Sequence, residues 1–205
     1  SMDATTSGRG VAVRGRWAIA AMFLANGFLT GSWAPQIPLL LTRLEITEFT
    51  LGLLILCFGF GALSAMPWSG YLISRHGTRP VLRAFAVLTT FSLLLVALAP
   101  NVWTAAIALY LFGGLVGGMD VAMNANAVVV EQKLSRAIMS SSHGFWSLGG
   151  FAGGGLGGIV AQSYGHLLHA VLVTLAVMIT VLLALPHLVG EGKPVRQEHT
   201  RLALP

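Results

Sequence analysis

Residues 70–83, GYLISRHGTRPVLR, decide the fold. They set Arg75, Arg79 and Arg83 between two long apolar runs, which makes the stretch a short basic loop lying against one face of a membrane. Cytoplasmic loops collect Lys and Arg, so this loop sets which side is inside and which way each neighbouring helix runs.

Composition points the same way. Of 205 residues, 55% are hydrophobic and only 9% charged, and mean hydropathy is +0.78; a soluble domain carries about 25% charge. Net charge is +5 and pI about 10.2. The basic residues nevertheless lie in short loops and not on one continuous face, so lipid headgroups are the expected counter-charge and nucleic acid is not an expected partner. Cys57, the single cysteine, excludes an intrachain disulfide and reads as a packed thiol. The sequence has no Gly-Lys-Ser/Thr phosphate loop, no Cys/His metal spacing and no pair of carboxylates in one span, so no enzyme, metal or other cofactor is expected.

Working outward from the loop, helix 2 is expected over about Thr50 to Ile73 and helix 3 over about Pro80 to Leu98, where Pro100-Asn101 stops it. Residues 1–15 read as an unstructured cytoplasmic tail whose Ser1-Met2 looks like an expression remnant. Helix 1 follows from Arg16 to about Leu40, with Pro35 and Pro38 expected to bend or close its last turns. Helix 4 covers Val102 to Val130, long enough to tilt or project. Helix 5 covers Ile138 to Ala161 and helix 6 Leu167 to Leu188. Residues 190–205 form a second cytoplasmic tail or the start of a central loop.

Six spans put both termini on one side. Arg9, Arg14, Arg16, Arg75, Arg79, Arg83, Lys133, Arg136, Lys193, Arg196 and Arg201 share that side, and Arg43 stands alone opposite. Both termini are therefore expected in the cytoplasm of a multi-pass cell-membrane protein. Helices 1–3 also slide onto helices 4–6, as in inverted repeats. Eighty-eight residues apart, Gly61, Gly70 and Gly77 meet Gly149, Gly158 and Gly165, while Ser32 and Gln36 meet Asp120 and Asn124. The expected units are residues 16–99 and 102–189 of a bundle over 16–189.

Asp120 is the one acid inside an expected span. Inserting an Asp at a helix centre costs about 2.5–3.5 kcal/mol, so it should face a bundle interior or a wet cavity. A carboxylate that can neutralise and recharge is what a proton-coupled carrier needs; the structural alternative is a hydrogen bond between helices. Gly113, Gly117, Asp120 and Asn124 share a stripe of helix 4, which serves either close helix packing or a cavity lining; Asn126 points elsewhere. On helix 1, Asn26, Thr30 and Trp33 share a face with Gln36 nearby, suited to stacking on a sugar and satisfying its hydroxyls. Trp33 reads equally as an interface anchor, as Trp17, Trp68 and Trp103 do. His143 shares a face of helix 5 with Ser147, Gly150, Gly154 and Gly157; it could exchange a proton with Asp120 or be an interfacial histidine.

The 70–83 loop resembles the signature of the major facilitator superfamily between helices 2 and 3, with Gly70, Arg75, Gly77 and Arg79 on pattern. Ser74 replaces the family's Asp and Thr78 its first basic residue. Gly117–Asn126 (GGMDVAMNAN) and Ser140–Gly150 (SSSHGFWSLGG) are similar to the fucose-permease-like branch, which has an acid and, four residues on, an Asn on helix 4, as Asp120 and Asn124 stand here. The resemblance covers residues 17–189 and implies an all-α integral membrane fold of six transmembrane helices in two inverted three-helix repeats, half of a twelve-helix transporter. It also implies a gating role for the loop. Gly149, Gly153, Gly157 and Gly158 resemble the superfamily's antiporter pattern, with Gly154 in place of its Pro.

The expectation is a secondary transporter of a small polar solute, sugar or sugar-like, working by alternating access with proton coupling. Its partners would be substrate, proton, lipid bilayer and a second six-helix half, either a missing carboxy-terminal half or a second copy of the chain. The alternatives are an efflux antiporter, a non-transporting scaffold or sensor, and a membrane enzyme using Asp120 with His143.

Overall fold

The computed structural model describes the backbone of residues 2–192 and the side chains from Ser7 onward. Lys193, Arg196, Glu198 and Arg201 lie outside the described residues. The elements in order are α1 (Met2–Arg43), α2 (Glu48–His76), α3 (Thr78–Thr90), α4 (Ser92–Leu98), α5 (Val102–Leu134), α6 (Met139–Tyr164) and α7 (His166–Ala184), then a short 3-10 turn at Leu185–His187. With α3 and α4 as one broken rod, six rods form the bundle. Four of them are long and apolar enough to cross a membrane: α2, α3 with α4, α5, and α7 with its turn. The polar residues Asn26, Ser32 and Gln36 lower the hydropathy of α1, as the serines and glycines do for α6.

Three boundaries differ from expectation. First, α1 begins at Met2, so residues 2–15 are helical and not a loose tail. Ala12 is buried, and Gly15 lies so close to Val189 that a methyl there would stand 2.9 Å from its side chain; packing on the segment after α7 supports these turns. Second, α1 runs through Pro35 and Pro38 to Arg43. Arg43 donates from Nη1 to the Ala99 carbonyl at 2.6 Å and from Nη2 to Val96 at 3.2 Å. The lone arginine of the far end thus caps a helix C-terminus, where a cation is favoured. Third, the third rod breaks at Phe91. Thr90 and Ser92 turn their hydroxyls onto the carbonyls of Ala86 and Thr89, a back-bonding that bends helices.

The bundle is organised by two crossings: α1 packs chiefly on α6, and α2 on α5. Both depend on missing side chains. A methyl at Gly27 would overlap the Trp146 carbonyl and one at Gly31 the Gly150 carbonyl; at Gly113 it would overlap Phe58, and at Gly117 it would press on Ala62. Gly149 against Leu24 mirrors Gly61 against Tyr110. Corresponding contacts therefore lie eighty-six residues apart between α1 and α5, and eighty-eight between α2 and α6. This two-residue slip corrects the expected match: Asp120 and Asn124 correspond to Ala34 and Pro38, not to Ser32 and Gln36.

The turns correspond as well. Gly77 (φ 85, ψ 169) ends α2 and starts α3, and Gly165 (φ 93, ψ 164) ends α6 and starts α7. That left-handed φ favours glycine. The central rod is α5, whose carbonyls at Leu115, Val116 and Gly118 accept from Thr89, Asn26 and Ser69 on three other helices. Phe23, Leu29, Phe112 and Met119 are fully enclosed around it. Cys57 is half-buried, while Trp17, Trp68 and Trp103 are exposed.

Candidate functional site

The sequence stripe on α5 divides. Gly113 and Gly117 are consumed in the crossing with α2, whereas Asp120 and Asn124 emerge half-buried one turn further on. Asn124 Nδ2 donates to the Asp120 backbone carbonyl at 2.8 Å and to Asp120 Oδ1 at 3.3 Å. These partners lie on one helix, so Asp120 is not sealed into a seam between helices by its hydrogen bonds. His143, one turn into α6, is exposed and stands edge-on to Phe23 at 5.3 Å between ring centroids.

Asn26 on α1 links α5 and α6. Buried to 1% exposure, it accepts from Trp146 Nε1 at 3.0 Å and donates to the Val116 carbonyl at 3.4 Å, so one amide ties α1, α5 and α6. Thr30 donates to the Asn26 carbonyl at 2.8 Å. Asp120 lies four residues beyond Val116, and His143 three residues before Trp146 on the antiparallel helix. At 1.5 Å per residue the two step about 6 Å and about 4.5 Å toward the basic end, which puts them at similar heights along the bundle. Trp146 escaped the sequence reading; its only signal was a Trp inside a glycine-rich helix, three residues from His143.

The other helix 1 candidates are enclosed. Trp33 is 6% exposed among Phe58 (6.4 Å, stacked) and Phe112 (5.9 Å, edge-on). Gln36, 1% exposed, donates to the His166 carbonyl at 2.8 Å and meets His169 Nδ1 at 2.9 Å. Of the five substrate candidates, Thr30 and Asn124 are half-open, while Asn26, Trp33 and Gln36 stand behind the face. On α6, Ser147 is exposed beside His143, while Gly149 and Gly153 pack on α1.

At the basic end, Gly70, Arg75 and Arg79 are exposed, and Ser74 only bonds the Tyr71 carbonyl of its own helix. The carboxylate beside this loop comes from Glu191. Its Oε1 accepts from the Thr78 N–H at 2.8 Å, and a methyl at Gly77 would stand 2.7 Å from Oε2. Burial alone would raise the Glu191 pKa, but the Thr78 hydroxyl and N–H, with the Arg79 charge, outweigh it and hold the pKa below its ordinary value. Asn126, fully buried, donates to Thr78 Oγ1 at 3.0 Å and to the Val189 carbonyl at 2.8 Å. Among the described residues, no three His, Cys, Asp or Glu side chains group so as to hold a metal ion.

A polar tie across three helices, an acid on a half-open helix and a basic loop at one end characterise this membrane bundle. The family profile described as the Major Facilitator Superfamily matches residues 19–203. The chain belongs to the major facilitator superfamily and is a multi-pass membrane protein. It is 40% identical to an uncharacterized MFS-type transporter of Yersinia pestis over 178 residues, 85% of this chain and 46% of that protein. To an uncharacterized transporter of Sinorhizobium fredii it is 39% identical over 146 residues, 71% of this chain and 38% of the other. To membrane protein MosC of Rhizobium meliloti it is 32% identical over 187 residues, 91% of this chain and 45% of the other. The chain thus spans about half the length, or less, of these curated relatives.

Proposed function

We propose that the chain is a six-helix half of a secondary transporter, built as two inverted three-helix repeats, α1 to α4 and α5 to α7. Paired crossings, paired turns at Gly77 and Gly165 and the mirrored glycine contacts support the repeats. An odd number of rods per unit inverts the second copy. In this reading all six rods cross the bilayer, and the basic end, with both termini, faces the cytoplasm.

The solute is small and polar, sugar or sugar-like as in the fucose-permease-like branch, and moves by alternating access coupled to protons. The observation that carries this reading is Asp120, an acid on a half-open face of α5, with the exposed His143 at a similar height on α6. Taking up a proton removes the charge that makes closing the face costly. Thr30 and Asn124 offer polar contacts to solute, and Asn26 with Trp146 holds the two helices that present them. A second six-helix body, the other half of a longer protein or a second copy, covers the face, with the loop at Gly70, Arg75, Gly77 and Arg79 gating between them. The glycine run of α6 favours an efflux antiporter as the second reading.

Sugars that raise the unfolding midpoint of the purified chain, as a bound ligand must, are then tested as radiolabelled solutes in proteoliposomes under an inward proton gradient. Asp120→Asn is expected to cut uphill accumulation by about 100-fold, the scale of a lost proton-transfer group, while exchange persists. Unchanged uphill uptake by the variant refutes the coupling role. Movement against the proton flow assigns antiport, and a panel without any stabilising solute leaves the scaffold.

A further inference from the structure

The basic end contains a cavity of about 1270 Å³ between the first turns of α1, the start of α3, the end of α5 and the segment after α7. Arg9, Arg14, Arg79, Lys133 and His187 line it, with Glu191 as the acid. Four permanent cations, Arg9, Arg14, Arg79 and Lys133, face the single Glu191 carboxylate, so the wall keeps a clear positive excess. Val11, Leu134 and Leu188 add apolar lining. Like charges gathered around one space repel each other, and a multivalent anion relieves that repulsion. Arginine forks suit phosphate oxygens in particular.

A second hollow, about 360 Å³, starts at the same Arg14 and His187 and runs along the seam of α1 and α7 past Trp17, Ala21, Thr180 and Leu183. Trp17 is 55% exposed, with the Arg16 guanidinium 5.2 Å from its ring, the disposition of a tryptophan at headgroup level. A charged chamber leading into an apolar groove along two membrane helices matches an amphiphile and not a free ion.

We propose that this is a binding site for an anionic phospholipid, its phosphate among Arg9, Arg14, Lys133 and His187 and one acyl chain in the α1–α7 groove. Basic pockets at the ends of membrane helices take such headgroups. The lipid joins the α1 extension to the segment after α7 and thereby to the Glu191 contact with the 70–83 loop. The proposal does not depend on the transport reading.

The test compares the chain in nanodiscs of phosphatidylcholine alone and of phosphatidylcholine with phosphatidylglycerol at equal ionic strength. The anionic lipid is expected to raise the unfolding midpoint by about 3 °C. Arg14→Gln with Lys133→Gln loses at least half of that rise while keeping its midpoint in phosphatidylcholine. Phosphatidylglycerol with brominated acyl chains quenches tryptophan fluorescence more than brominated phosphatidylcholine does, and Trp17→Phe removes the excess. An equal rise with pyrophosphate in phosphatidylcholine discs, without excess quenching, overturns the lipid in favour of a soluble phosphate. No rise with either, or a rise that the double variant keeps, overturns the site.

Discussion

The α1–α6 and α2–α5 crossings share one plan and differ in one slot. Both bring backbones together over glycines, Gly27, Gly31 and Gly149 in the first, Gly113, Gly117 and Gly61 in the second. Where the first sets Asn26 against Trp146 with a 3.0 Å hydrogen bond, the second sets Phe112 edge-on to Phe58 at 5.1 Å. The glycines determine how close the helices come, and the side chains in the slot determine what the crossing can do. An aromatic pair closes its crossing dry. An amide also reaches the Val116 carbonyl and draws α5 to α1 and α6. The acid obeys the same asymmetry: Ala34 and Pro38, exposed on α1, occupy the positions that Asp120 and Asn124 occupy on α5.

The largest effect should come from filling the shared part of the plan. Gly27→Val and Gly113→Val each drive a side chain into a backbone carbonyl that cannot swing away, and each should cost at least about 3 kcal/mol, the upper range for overpacking. Gly155→Ala, where nothing lies within 4 Å, should be near neutral. Unfolding midpoints in detergent compare the three, and a large loss in only one crossing would break the equivalence.

Next comes the slot itself. Asn26→Leu strands the half-buried Trp146 N–H and should cost about 1–3 kcal/mol, whereas Phe112→Leu should cost about the same through lost packing. The distinction lies elsewhere: Asn26→Leu should also separate α5 from α6, so a fluorophore pair across Asp120 and His143 positions reports a change that Phe112→Leu does not cause. Equal spectra from both variants would remove the special role of the amide.

The two turns give a smaller contrast. Gly165→Ala carries only the strain of an extended backbone at positive φ (φ 93, ψ 164), about 1–3 kcal/mol. Gly77→Ala carries that strain and also displaces the Glu191 carboxylate, so its midpoint should fall further. The smallest effect is electrostatic. Because the folded Glu191 pKa lies below its ordinary 4.5, its contribution is present above that pH and lost as pH falls through the lower folded value. Water screens so exposed a group, so Glu191→Gln should lower stability at neutral pH by less than about 1 kcal/mol. Part of the acid destabilisation below pH 4.5 should vanish in the same variant.

The helices themselves were legible because lipid admits only long apolar rods, and most rods showed their ends by Pro, Gly or charge. Asp120 was legible for the same reason, as an acid stands out in an apolar run. Trp33 and Gln36 were equally visible but turned out enclosed, since helical spacing names a face without naming its neighbour. The start of α1 was illegible because its support, Val189, lies at the other end of the chain. By sequence Glu191 belongs to a tail, yet it supplies the carboxylate beside the loop where the family pattern has Asp and this chain has Ser74.

Composition and hydropathy alone determined a membrane bundle with a basic end, because partition between water and lipid depends on each segment separately, and the motifs at 70–83, 117–126 and 140–150 carried the family resemblance. Tertiary structure decided the eighty-six residue register of α5 on α1, the Asn26–Trp146 tie and which of the polar helix residues stay half-open. Those depend on which backbones approach within reach of a hydrogen bond, and that distance is a property of two helices together and never of one.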